Sequence, residues 1–200
     1  MIDKSIPYYN VIMRYDGPPV CEEPTAPCGY RFRSYKEGDE YAWAKMEVDN
    51  NDFDTYDNAV KYFQNKYCGF PELLQERFVG IENPSGELCG IVICWEDERE
   101  GKKVSSVHWL ISSPDEQGKG IGTALVKMLI YRFSCLEKLP IYLHTQPWSY
   151  QAIGIYSKLG FRLLGQDTFR GYENQSLLAL DVLEKLMNKA SFEKLNKEII

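Results

Sequence analysis

Ser112-Ser113-Pro114-Asp115-Glu116-Gln117-Gly118-Lys119-Gly120-Ile121-Gly122-Thr123-Ala124-Leu125 is the stretch on which the reading of this chain turns. An alternating run rich in β-branched residues, Val104-Ser105-Ser106-Val107-His108-Trp109-Leu110-Ile111, leads into it. Apolar residues at 121, 124, 125, 128, 129 and 130 follow it, and the whole reads as strand, glycine loop, buried helix. The first backbone N–H groups of a helix have no intrahelical acceptor, and the helix dipole adds partial positive charge there, so an anion can be held without dedicated side chains. Three glycines at alternate positions let the backbone come close to it. The segment therefore predicts a phosphate site.

Downstream, the helix runs from about residue 120 to about residue 137, with Pro140 beyond it. Ile141-Tyr142-Leu143-His144-Thr145 is the next strand, and the long helical crossover predicts that it lies parallel to residues 104–111. A helix over residues 149–159 ends with Gly160 as its C′ residue, and Phe161-Arg162-Leu163-Leu164 returns to the sheet. Residues 175–188 carry Leu180, Leu183 and Met187 on one helical face, and the charged residues 191–200 are expected to fray.

Upstream, residues 77–82 and 88–95 read as an antiparallel hairpin reversed by Asn83-Pro84-Ser85-Gly86, and the charged residues 96–103 as a solvated loop. Tyr30-Arg31-Phe32-Arg33-Ser34-Tyr35 alternates as a strand. Gly38-Asp39 then opens a helix, with Asp39 as N-cap and Trp43, Met46 and Asn50 behind it. Tyr56, Val60, Phe63 and Tyr67 form an aromatic stripe on a second helix, a core contact or one wall of a substrate pocket. The chain begins with a short strand, Tyr9-Asn10-Val11-Ile12-Met13-Arg14, and a proline-rich loop over residues 17–27. This arm is placed on a sheet edge or across to a partner chain. The expected organisation is an arm over residues 1–28, a single domain over 29–190 and a charged tail over 191–200.

With 200 residues, 44% of them hydrophobic, the chain can bury one substantial core. A net charge of −6 argues against a broad nucleic-acid surface. No run approaches the roughly 18 apolar residues of a spanning helix, and residues 1–7 hold no signal core, so a soluble cytoplasmic protein is expected, without membrane contact. The six cysteines form no C-x-x-C pair and no paired histidine spacing accompanies them, so neither a metal site nor a disulfide framework is expected.

Three phosphate motifs compete for the glycine loop. The P-loop pattern G-x-x-x-x-G-K-[ST] fails because Gly118-Lys119 is followed by Gly120. The dinucleotide pattern G-x-G-x-x-G fails because Thr123 stands where the third glycine belongs. What remains is Q-x-x-G-x-G, met by Gln117, Gly120 and Gly122. With the preceding strand, and with Ala152-Ile153-Gly154-Ile155-Tyr156-Ser157-Lys158-Leu159-Gly160-Phe161 on the next helix, the chain resembles the GCN5-related N-acetyltransferase (GNAT) superfamily. The resemblance covers about residues 77–164 in order, and residues 30–67 more loosely.

The resemblance implies an α/β (α+β) fold: a mixed central sheet with an antiparallel meander, splayed parallel strands and flanking helices. It implies acetyl-coenzyme A as the acyl donor. The backbone of Gln117, Gly118, Lys119, Gly120, Ile121 and Gly122 would hold its pyrophosphate, and main chain near Leu110, Ile111 and Ser112 its pantetheine arm. Lys119 either adds charge there or is a solvated loop lysine. Ser149 stands where many members carry an asparagine toward the pantetheine, and a hydroxyl cannot copy both amide functions.

Transfer to an amine needs a base for the amine and a proton for the departing thiolate. Tyr156, at the family's tyrosine position, is the candidate general acid. His108 is the candidate base because its ordinary pKa near 6.5 suits neutral pH; Glu96, Glu98 and water stand as alternatives, and His144 lies on the neighbouring strand. The expected acceptor is a small-molecule primary amine, with aromatic residues such as Trp43, Phe53, Tyr56 and Trp148 hinting at an enclosed pocket. A protein or peptide acceptor, a non-catalytic coenzyme A-binding module, and a homodimer are the open alternatives.

Overall fold

The computed structural model describes residues 3–200. Its strands are β1 (Val11–Tyr15), β2 (Arg31–Arg33), β3 (Phe78–Glu82), β4 (Leu88–Arg99), β5 (Lys102–Ser112), β6 (Ile141–Thr145) and β7 (Arg162–Leu163). They form one mixed sheet in the order β2-β3-β4-β5-β6-β1-β7. The α-helices are α1 (Asp39–Asp49), α2 (Tyr56–Phe63), α3 (Pro71–Arg77), α4 (Ile121–Cys135), α5 (Tyr150–Lys158), α6 (Ser176–Leu186) and α7 (Lys189–Lys197). Among the described residues no helix is long and apolar enough to cross a membrane. The residues gather into two compact units.

The first unit holds residues 23–94 and 109–129. Here β3 pairs antiparallel with β2 on one side and β4 on the other, as the alternation and the Asn83 to Gly86 reversal predict. All five residues of β3 are buried. A Cβ on Gly90 of β4 would lie 2.8 Å from Ile121 Cγ2 and 2.9 Å from Ile81 Cγ2, so glycine is what lets α4 seat directly on the strand. The cap of α1 is Gly38, at φ 99°, not Asp39. Asp39 enters the first turn instead, because its carboxylate is taken by Arg33 at 2.6 and 2.7 Å and by the Lys36 N–H at 2.7 Å.

The aromatic stripe is only partly buried. Phe63 and Tyr67 are enclosed, but Tyr56 is 42% exposed, and Ala59 takes the inward place in its turn. A π-helical turn over Gln64–Cys68 follows α2 and rotates the face that points inward. The sequence reading missed α3 altogether; it is one short stretch opened by Pro71, with Leu74 buried.

The second unit holds residues 3–22, 95–108 and 130–200. The N-terminal strand is not an edge strand: β1 lies between β6 and β7, antiparallel to both. Val11, Ile12 and Met13 are fully buried for that reason. Residues 96–103 are not a loop either. The hairpin runs on to Arg99, turns through Glu100 and Gly101 at φ 52° and 73°, and resumes at Lys102. Two successive positive φ values match the right-handed twist of paired strands, so charge at this hairpin end hides a strand rather than marking its absence.

As predicted, β5 and β6 are parallel, joined by the pairs Ser105–Ile141 and Ser106–Tyr142. Gly160, at φ 97°, closes α5: Phe161 N–H bonds to Tyr156 O at 3.0 Å and Gly160 N–H to Ser157 O at 3.2 Å. The tail expected to fray is ordered. Asn188 caps α7 through the Ser191 N–H, Leu195 is 1% exposed, and Ile200 exchanges bonds with Leu163 O and Gly165 N–H at 2.9 and 2.8 Å. Phe192 and Leu195, three apart among charged residues, are the apolar face that the composition masked.

Candidate active site

The glycine loop is built from the end of β5 to the start of α4. A 3₁₀ turn over Pro114–Glu116 follows β5, tied down by the Ser113 N–H bond to Cys89 O at 2.8 Å. Gly118 and Gly120 adopt φ 78° and 82°, which an L side chain rarely does. A Cβ at either position would meet nothing within 4 Å, so the space beside this backbone is open. The first α-helical bond of the next element runs from Ala124 N–H to Gly120 O, at 3.0 Å. The N–H groups of Ile121, Gly122 and Thr123 therefore precede any intrahelical donor. Open space, paired positive φ and a 15-residue helix starting at Ile121 fit an anion such as a pyrophosphate.

Around this loop the side chains are committed. Lys119 Nζ lies 2.8 Å from Glu116 Oε2, and the Tyr30 hydroxyl donates to the same oxygen at 2.6 Å. Those two bonds, Lys119 first, hold the Glu116 carboxyl below its usual range. Asn50 donates to Ser112 O at 3.2 Å and to Met46 O at 2.9 Å, and accepts from Gln117 Nε2 at 3.4 Å. The expected pantetheine stretch, residues 110–112, thus has its last carbonyl already in contact with α1. Just before it, Trp109 sits at φ 53° inside β5. This is an uncommon conformation for a large residue. Its ring is held by Trp43, Phe53 and Tyr62 at centroid distances of 5.3, 5.6 and 5.3 Å. Of the aromatics expected in a pocket, Trp43 and Phe53 belong to this packed group, whereas Tyr56 does not.

In the second unit, His108 is buried and bonded through Nε2 to Asp97 Oδ2 at 2.6 Å. Burial opposes the Asp97 charge, but His108, helped by Arg170 at 3.4 Å, outweighs it and holds the carboxyl down at about 2. A carboxylate fixed on one ring nitrogen sets the tautomer of a neutral imidazole and orients the ring. Asp97 also lines a cavity of about 410 Å³ whose other walls come from the end of β4 and from Thr168 to Gly171. Sequence reasoning missed Asp97; its place inside an acidic run was its only signal. Of the alternative bases, Glu96 is paired with Lys138, and Glu98 is an exposed member of the cavity rim.

Tyr156 is buried on α5, its ring 5.4 Å from Phe161. Desolvation raises the phenol pKa far above its ordinary value, so the hydroxyl keeps its proton. Among the described residues that hydroxyl has no hydrogen-bond partner. Ser149 precedes α5 as its N-cap and makes no side-chain capping bond. His144 donates through Nε2 to Asn10 Oδ1 at 2.9 Å, and Tyr172 stacks on its ring at 3.7 Å. Burial, then the Arg170 charge, lowers its pKa to about 4. The loop and residues 110–112 thus belong to one unit, and His108, Ser149 and Tyr156 to the other.

Residues 36–161, more than half of the chain, match the acetyltransferase (GNAT) family. Spermidine N(1)-acetyltransferase of Escherichia coli (strain K12) is 29% identical over 136 residues, which are 60% of this chain and 67% of that protein. Among solved structures, a GCN5-related N-acetyltransferase from Sphaerobacter thermophilus aligns with a TM-score of 0.55 at 20% identity, over 78% of this chain and 50% of that one. The chain thus spans about half the length of that relative. Spermidine N-acetyltransferase from Vibrio cholerae in complex with CoA and spermine aligns at 0.50 and 23% identity, over 66% and 80%. At these identities the structures speak for the fold, and the family match together with the mixed seven-stranded sheet shows that the chain belongs to the GNAT acetyltransferase family.

Proposed function

We propose that this chain is an acetyl-CoA-dependent N-acetyltransferase of the cytoplasm, acting on the primary amine of a small molecule by direct attack in a ternary complex. The observation that carries the catalytic part is the His108–Asp97 pair, 2.6 Å long and buried, with Asp97 at the wall of a cavity. The relatives named for spermidine acetylation support an amine acceptor.

When bound, acetyl-CoA supplies an acetyl thioester open to attack by an amine, with a thiolate to be displaced. Backbone N–H groups of residues 118–122 would hold its pyrophosphate in the open space beside Gly118 and Gly120, the Gln117 N–H being given to Pro114 O at 3.3 Å. Asp97 Oδ2 accepts a hydrogen bond from His108 Nε2–H and so orients the imidazole that takes the proton of the acceptor ammonium. The Tyr156 hydroxyl, kept protonated by desolvation, donates toward the departing sulfur. The Ser149 hydroxyl, unused in capping α5, adds one hydrogen bond to the donor.

The test is incubation of the full chain with acetyl-CoA and a panel of small amines, polyamines and amine-bearing peptides, following free thiol and acetylated product. Acetylation of small amines is the expected result. Turnover with peptides alone would reassign the acceptor to protein. Tight coenzyme A binding with no acetylated amine of any kind would make the chain a binding module and overturn the proposal.

A further inference from the structure

The cavity beside Asp97 carries a group that the proton-transfer reading leaves unused. Of its two arginines, Arg99 is fully engaged: Nε donates to Thr168 O at 3.2 Å, Nη1 to the Tyr142 hydroxyl at 3.2 Å, and Nη2 lies 3.2 Å from Asp167. Its guanidinium also stacks 5.3 Å above the Tyr142 ring. Arg170 is different. It meets Asp97 through Nε, at 3.4 Å, and stands 5.9 Å from the Tyr172 centroid. Among the described residues its two Nη groups have no hydrogen-bond partner, and the side chain is 31% exposed.

The backbone under Arg170 makes this unspent fork more telling. Phe169 and Tyr172 are bridged, and Arg170 and Gly171 form the tip of the turn at φ 55° and 73°. Such a tip favours Asn, Asp or Gly at its first position, and a long side chain there costs free energy. Both ends are clamped: Phe169 stacks on Tyr142 at 5.5 Å, and Tyr172 on His144 at 3.7 Å. A rigid turn therefore presents a guanidinium, in an unfavourable conformation, to the cavity wall that also holds Asp97, the partner of His108. A planar fork of N–H donors matches a carboxylate. The exposed Glu98 and Glu100 stand at the rim, Glu100 within 3.5 Å of Arg99.

We propose that Arg170 is a specificity residue that binds a carboxylate on the acceptor, making the preferred substrate an amino acid or a similar amine that carries an anionic group. The inference rests on the acetyltransferase reading, and it departs from the polyamine that the net negative charge and the spermidine-acetylating relatives suggest. A carboxylate on Arg170 and an amine beside Asp97, Glu98 and Glu100 would use both the cationic and the acidic lining of one cavity. A polyamine would place positive charge against Arg170.

The experiment compares kcat/KM of the full chain, saturated with acetyl-CoA, for amino acids and for their decarboxylated amines as matched pairs, with spermidine alongside. For at least one pair the carboxylate-bearing member is expected to lead by about 10- to 100-fold. In Arg170→Gln that ratio falls toward one through a raised KM, and Arg170→Lys restores part of it. If the decarboxylated amines or spermidine are used as well as or better than the amino acids, or if Arg170→Gln leaves the ratio unchanged, the carboxylate assignment is overturned while acetyl transfer stands. If nothing is acetylated although coenzyme A binds, the acetyltransferase reading itself fails, and this inference fails with it.

Discussion

Asp97→Asn preserves volume and removes a charge from a place where its partners are known. Oδ2 lies 2.6 Å from His108 Nε2 and Oδ1 3.4 Å from Arg170 Nε, and the Asp97 and His108 side chains are 8% and 2% exposed. His108 is hydrogen-bonded to Asp97, and Arg170 faces it with its N–H groups as an ion pair. An amide must turn its NH₂ toward one of them, so it either forces the histidine proton onto Nδ1 or sets two donors face to face at Arg170. The carboxyl titrates at about 2 against a usual 3.8, burial raising it and His108 lowering it by more. Nearly two units at about 1.4 kcal/mol each is about 2.5 kcal/mol, and partial solvent access brings the expected loss nearer to about 2 kcal/mol.

Because the folded pKa is depressed, that stability is present above pH 4 and is lost as pH falls through about 2. Urea unfolding at pH 7 should show the full gap between the two proteins, narrowing as pH drops from 4 toward 2. If His108 works as base through this pair, kcat should fall about 10²- to 10³-fold, with coenzyme A affinity unchanged by thermal shift. A variant that loses the stability but keeps kcat within about threefold of the parent would show that the pair is structural, and His108 would leave the mechanism.

Tyr156→Phe should lower kcat about 10²-fold with unchanged coenzyme A affinity; unaltered turnover would remove the phenol as proton donor. Gly120→Ala places a methyl at φ 82°, in open space, so strain of about 1 kcal/mol is expected without a clash. Calorimetric titration should show weakened coenzyme A binding, and equal affinity would move the pyrophosphate away from this loop. His144 has its folded pKa depressed to about 4 by burial and then by Arg170. Asn10 and Tyr172 face it from the other sides. The unfolded chain therefore takes up a proton first, and stability is lost as pH falls from about 6.5 to about 4, by roughly 1–3 kcal/mol. His144→Gln should flatten that window in urea titrations at pH 7 and pH 4.5; an unchanged slope would show that His144 is not the group responsible.

Features governed by near neighbours were legible in the residues. The glycine loop follows from positive φ at Gly118 and Gly120 and from a helix start, and the end of α5 follows from Gly160. The parallel β5–β6 pair follows from the helical crossover, and the β3–β4 hairpin from its turn residues. Tyr156 came from resemblance to a family motif, and the structure adds that its ring is buried. Short, polar-faced elements escaped: α3 and α7 are too brief for periodicity to stand out, and β4 continues through charged residues to Arg99.

What only the tertiary structure decided is who meets whom. Asp97 and His108 are eleven residues apart, and their bond depends on how the β4–β5 hairpin is drawn together. Arg170 reaches the same carboxylate from a turn more than sixty residues further on. The insertion of β1 between β6 and β7 joins residues 11–15 to residues 141–145 and 162–163. Hydrophobic period reports which face of an element is buried, not what it is buried against. Pairing across long loops is selected by the summed packing of the folded chain, so the residues alone determined the glycine loop, and the fold determined the His108–Asp97 pair and the cavity beside Asp97.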